Sequence, residues 1–177
     1  MYKKIPNIIT VLRIILVPGF PLIYFSNLTK SSYYSLGFFL IVGVTDMLDG
    51  YLARKYNLIS AFGTAMDPLA DKLMLIVVFL SFGVKNLLPL WVIIFIVAKE
   101  CFMIITGLYF YFKKEKYVIP SNIFGKTATM LIFLAVLGMF IKPQLMIFSF
   151  MIYFAIGLKL VALFFYTKIH LKNIKKQ

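Results

Sequence analysis

A chain of 177 residues that is 62% hydrophobic and 14% charged has the length of one domain but is too apolar for a soluble fold. Its 19 Lys and Arg against 6 Asp and Glu give a net charge of +13, yet the basic residues flank apolar runs, which favours lipid headgroups over a nucleic-acid groove. A single cysteine, Cys101, excludes an intrachain disulfide and a thiolate zinc site.

In chain order, Lys3 and Lys4 precede a first apolar run at 8–27. This start is reminiscent of a secretory signal, but it shows no small-residue cleavage site and Arg13 interrupts it, so we expect a mature span. Further runs follow at 33–53, 67–83, 88–112, 123–141 and 145–167, each near the ~20 helical residues that cross a hydrocarbon core. Gly, Pro, Ser, Asn and Lys punctuate them at 27–32, 84–86, 113–122 and 142–144. Backbone groups in lipid must be satisfied internally, which predicts an all-α, polytopic membrane protein of six spans in a single domain, 1–177. Arg54 and Lys55 follow the second span, Lys113, Lys114 and Lys116 the fourth, and Lys168, Lys172, Lys175 and Lys176 the sixth. The alternate loops hold only Lys30, Lys85 and Lys142, so the positive-inside rule places both termini in the cytoplasm. Packing is the expected role of Cys101, and solvation that of His170 in the basic tail.

Four of the six acidic residues, Asp46, Asp49, Asp67 and Asp71, fall between positions 46 and 71. Clustered carboxylates repel, and charge inside a membrane is costly, so something cationic must offset them. On a helix Asp46, Asp49, Gly50 and Ala53 share one face, and Asp67 and Asp71, four apart, share another. The short connection between them makes the two helices antiparallel neighbours, and both pairs converge near the cytoplasmic interface. Gly50 and Ala53 leave room for a ligand. Four oxygen ligands suit one or two Mg²⁺ or Mn²⁺ ions with coordination left for a substrate phosphate. The plainer reading, aspartates satisfied by nearby lysines, would suffice for one such residue but not for four on two matched faces. A divalent-cation channel or carrier would also use carboxylates, but it gains nothing from Arg54 beside them.

The spacing Asp46-x2-Asp49-Gly50-x2-Ala53-Arg54-x8-Gly63-x3-Asp67-x3-Asp71 matches without a gap the signature of the CDP-alcohol phosphatidyltransferase family, which this chain resembles. Six spans with the motif across the second and third agree with that resemblance. It implies transfer of a phosphatidyl group from CDP-diacylglycerol to an alcohol, with release of CMP, by a homodimer in the bacterial cytoplasmic membrane. It further implies that Asp46, Asp49 and Asp67 ligate two divalent ions, and that Asp71 is the general base and also touches the second metal. Gly50, Ala53, Arg54 and Ser60 match donor-binding positions, and Asn7 and Thr10, within Pro6-Asn7-Ile8-Ile9-Thr10, match those that meet the cytidine.

Within the family, MDPLADKL (66–73) and IPNIITVLRI (5–14) resemble the branch whose acceptor is glycerol 3-phosphate. The branch that makes cardiolipin from phosphatidylglycerol shares the stretch FGTAMDPLADK (62–72) and is the alternative. Lys99, inside the fourth span, and Lys126, opening the fifth, are expected to bind the acceptor phosphate; the plainer reading of Lys99-Glu100 is an intramembrane ion pair with its neighbours. The chain departs from the glycerophosphate branch at Lys99-Glu100, where Arg-Glu is usual, and at Tyr109, where Arg is usual. Lysine lacks arginine's bidentate fork, so the grip on phosphate is arranged differently.

Overall fold

A computed structural model describes the backbone of residues 5–56, 61–113 and 123–174. Side chains are described at these positions except 5–8, 49, 52–54, 61–65, 67–68, 110–111 and 163–174. The described residues form seven helices and no strand: α1 (Ile5–Leu16), α2 (Gly19–Tyr24), α3 (Ser31–Lys55), α4 (Ala61–Val84), α5 (Leu90–Lys113), α6 (Ile123–Ile141) and α7 (Met146–Ile174). They fall into two compact units, Met1–Tyr117 and Val118–Gln177.

The all-helical expectation holds. Among the described residues three stretches are long and apolar enough to cross a membrane: Ser31–Leu48, Leu90–Tyr109 and Ile123–Ile141. A shorter apolar stretch, Met146–Ala162, lies in α7. Large apolar side chains face outward on these helices, among them Ile41, Ile105, Met130 and Phe154. In water such a surface would aggregate, whereas hydrocarbon accepts it. Hydroxyls on α3 and α4 bond to their own backbone: Ser35 Oγ donates to the Ser31 carbonyl at 2.8 Å and Ser81 Oγ to that of Val77 at 2.7 Å. That removes the cost of an unpaired donor in apolar surroundings.

Besides the end of α7, at Ile174 rather than 167, two element boundaries differ clearly from the sequence reading. The run 8–27 is not one helix but α1 and α2, parted at Pro18. Proline has no N–H to donate and its ring crowds the carbonyl four residues earlier, and Pro21 repeats the loss one turn on. The Val17 N–H still reaches the Arg13 carbonyl at 3.1 Å, but the Phe20 N–H turns to Val17 at 3.1 Å, a tighter step that starts α2. The other difference is the start of α4 at Ala61 rather than 67, because a helix can outrun the apolar stretch that crosses the membrane. At its far end Asn86 takes a left-handed conformation with φ 54°. Its N–H reaches the Gly83 carbonyl at 2.9 Å and the Leu87 N–H reaches Phe82 at 3.0 Å, which closes α4 as a Schellman motif.

In the first unit α1 packs on both α3 and α4, α2 on α3 and α4, and α4 on α5. Its core holds Phe20, Tyr24, Val78, Phe79, Phe82, Val92 and Ile96, all nearly or fully buried. Phe20 stacks on Tyr24 at 5.6 Å between centroids, and Tyr24 leans on Phe82 at 6.0 Å. Lys85 closes this end: its Nζ donates to the Tyr24 carbonyl at 3.2 Å and lies 3.9 Å from the centre of the Tyr24 ring.

The second unit is the α6–α7 pair. Buried Ala128, Ile132, Ala135, Val136, Met139 and Phe140 recur with helical period on α6 and meet buried Ile152, Ala155, Ile156 and Ala162 on α7. Small residues let the backbones approach. A Cβ at Gly138 would collide with the Phe148 ring, a rigid plate with few alternative positions. Gly138→Ala is therefore expected to cost about 1–3 kcal/mol of stability through overpacking. Thermal unfolding in detergent checks this, and adding Phe148→Leu should recover most of the loss.

Candidate active site

Arg13 sits on α1 with its side chain only 1% exposed, where a lone guanidinium would be untenable. It lies one turn after Thr10, which is equally buried. From this face Arg13 Nη1 donates to Asp46 Oδ1 on α3 and, at 3.4 Å, to Asp71 Oδ1 on α4. One nitrogen thus serves two carboxylates from two helices. Among the described residues α1 packs against both α3 and α4, and so reaches both carboxylates.

The two carboxylates are not buried equally. Asp46 is 29% exposed and Asp71 52%, so Asp71 presents much of its carboxylate to open space while tethered on its inner side. Gly50, one turn beyond Asp46 on α3, is half-buried. The side chains of Asn7, Asp49, Ala53, Arg54 and Asp67 lie outside the described ones, though their backbones belong to α1, α3 and α4. Ser60 lies outside the described residues altogether.

Next to Asp71 on α4, Lys72 turns to α5. Its Nζ donates to Glu100 Oε2 at 3.0 Å and approaches Met103 Sδ at 3.7 Å. Lys99 Nζ donates to the other oxygen, Glu100 Oε1, at 2.6 Å. Glu100 is 3% exposed, and two cations flank its two oxygens. Two ion-pair groups result, Asp46–Arg13–Asp71 across α3, α1 and α4 and Lys72–Glu100–Lys99 across α4 and α5, and Asp71 and Lys72 are neighbours in the chain. Lys99 is anchored by Glu100 yet 32% exposed, and Lys72 is 19% exposed, so both keep access to an anion. Lys126 is exposed in the first turn of α6, in the second unit.

Sequence reasoning missed the partners of Arg13 and the Lys72–Glu100 pair, while the Lys99–Glu100 ion pair was one of its two readings. The available signal was burial cost: an arginine in an apolar run and a glutamate in another each require a partner.

Among the described residues no three His, Cys, Asp or Glu side chains gather as a metal cluster. The donor set nevertheless suits a hard divalent ion. Asp46 and Asp71 offer carboxylate oxygens, and a guanidinium already stands between them as a cation.

A model of the CDP-alcohol phosphatidyltransferase family matches residues 3–165. The chain is similar to the CDP-diacylglycerol–glycerol-3-phosphate 3-phosphatidyltransferase of Rickettsia felis, 32% identical over 129 residues that cover 73% of this chain and 70% of the relative. The enzyme of the same name from Bacillus subtilis is 33% identical over 138 residues, 71% of this chain and 70% of the relative. A cardiolipin synthase (CMP-forming) / mitochondrial hydrolase fusion protein of Schizosaccharomyces pombe is 33% identical over 109 residues, 62% of this chain and 18% of the relative.

Proposed function

The chain belongs to the CDP-alcohol phosphatidyltransferase family, and from that membership we propose that it transfers the phosphatidyl group of CDP-diacylglycerol to glycerol 3-phosphate and releases CMP. The observation that carries the chemistry is the meeting of Asp46 and Asp71 at one buried guanidinium, which brings the two ends of the aspartate motif together.

Asp71, the more open carboxylate, accepts the proton of the acceptor hydroxyl. The freed oxygen attacks the phosphorus that carries diacylglycerol. A new P–O bond forms, the bond to the CMP phosphate breaks, and CMP leaves with that electron pair. Two Mg²⁺ or Mn²⁺ ions, held by Asp46, Asp49, Asp67 and Asp71, would supply charge neutralisation at the diphosphate. Asn7, Thr10, Gly50, Ala53, Arg54 and Ser60 hold the nucleotide end of the donor. The acyl chains stay in the bilayer, which calls for a site near the cytoplasmic face of a six-span protein with both termini inside.

Lys99 is the proposed acceptor contact in the first unit, oriented by Glu100 and still exposed. Arginine-free recognition of this kind gives a point charge rather than a fork. The check is steady-state kinetics in vesicles that contain CDP-diacylglycerol. Lys99→Ala should raise the Michaelis constant for glycerol 3-phosphate about tenfold, the worth of one charge-assisted hydrogen bond, and leave that for the donor within a few-fold. An effect on the donor alone would remove Lys99 from the acceptor site. The second reading, cardiolipin synthesis, has the similarity to the fission-yeast fusion protein in its favour. Offering phosphatidylglycerol, serine and inositol alongside glycerol 3-phosphate decides between them.

A further inference from the structure

Arg13 stands outside the aspartate motif and outside the donor and acceptor residues, yet it touches both described carboxylates of the site. Its burial is nearly complete, and it is fixed on a helix that packs against both α3 and α4. One positive charge faces two negative ones, so the trio keeps one net negative charge. A single carboxylate would neutralise a buried arginine. This one is shared between two residues whose proposed task is elsewhere.

We propose that Arg13 is a positioning residue that acts as the built-in counter-cation of the carboxylate site. It holds Asp46 and Asp71 together while no divalent ion is bound, and it yields part of its hold on their oxygens when one binds. The inference rests on the divalent-ion reading of the aspartates. Its physical content is competition: the guanidinium and the ion draw on the same oxygens, so Arg13 prevents repulsion in the empty site and weakens the ion's affinity. The loose 3.4 Å bond to Asp71 is the contact to be released first.

The test uses the full chain in nanodiscs without substrate and titrates Mn²⁺ by electron paramagnetic resonance. Arg13→Gln and Arg13→Met both remove the charge, and Arg13→Lys keeps it. Loss of the charge should tighten Mn²⁺ binding at least tenfold and lower the melting temperature in EDTA more than in Mg²⁺. Arg13→Lys should stay within about threefold of wild type, since it keeps the competing charge. Recovery of the neutral variants only when Mg²⁺ is present also supports the inference. Unchanged or weaker Mn²⁺ binding, or equal melting losses with and without metal, overturns it, as does failure of both neutral variants to fold even with Mg²⁺. If wild-type protein binds no Mn²⁺ at all, the divalent-ion reading itself fails, a result distinct from the others.

Discussion

Asp71→Asn is expected to lower turnover by about a thousandfold, within the 10²–10⁴ range that a positioned general base contributes. The amide is nearly the same shape and its carbonyl can still accept from Arg13, so the helix contact at this point survives. What it loses is the capacity to take the proton of a poorly acidic alcohol. The proposed donor contacts lie on other residues, so equilibrium binding of CDP or of CDP-diacylglycerol should remain within a few-fold of wild type. Turnover near wild type would strip Asp71 of the role. Loss of donor binding together with turnover would instead make its main task metal ligation.

Asp46→Asn should be nearly as damaging to turnover and distinctly worse for stability. It takes charge from a proposed metal ligand, so CMP release should fall by orders of magnitude and excess Mg²⁺ should restore little of it. It also takes the negative charge opposite Arg13 on α3, which leaves the buried guanidinium a neutral amide oxygen there beside the looser bond to Asp71. Breaking one side of a buried ion pair costs about 3–5 kcal/mol, and with the amide still accepting and Asp46 part-exposed the loss should be smaller, about 2 kcal/mol or several degrees in Tm. Asp71→Asn, at the more exposed carboxylate, should lose much less. Equal melting points for the two variants would contradict the assignment of Arg13 primarily to Asp46.

The helices that consist wholly of hydrocarbon-length apolar sequence were legible from the chain. The run read at 123–141 is α6, and that read at 88–112 is α5 within two residues, because Lys, Pro and Asn mark their ends. Hydropathy was a poorer guide where length and environment part company. It averaged across Pro18, although the missing N–H there is a local and visible feature, and it placed the start of α4 at the first span-like residue instead of at Ala61. The aspartate motif was visible because its spacing is helical and local. Its brace was not. Arg13 pairs with residues 33 and 58 positions away, and Lys72 with one 28 away, distances at which no periodicity reports on contact. An arginine inside an apolar run announces only that a partner exists. Which carboxylate serves it is decided by the packing of α1 against α3 and α4.

The most direct measurement is the stoichiometry of products from purified protein in vesicles of CDP-diacylglycerol supplied with glycerol 3-phosphate. CMP and phosphatidylglycerophosphate should appear one for one with Mg²⁺ or Mn²⁺ present, and both should stop when EDTA is added. CMP release that continues in EDTA, or no product from glycerol 3-phosphate while phosphatidylglycerol is converted to cardiolipin, would contradict the account.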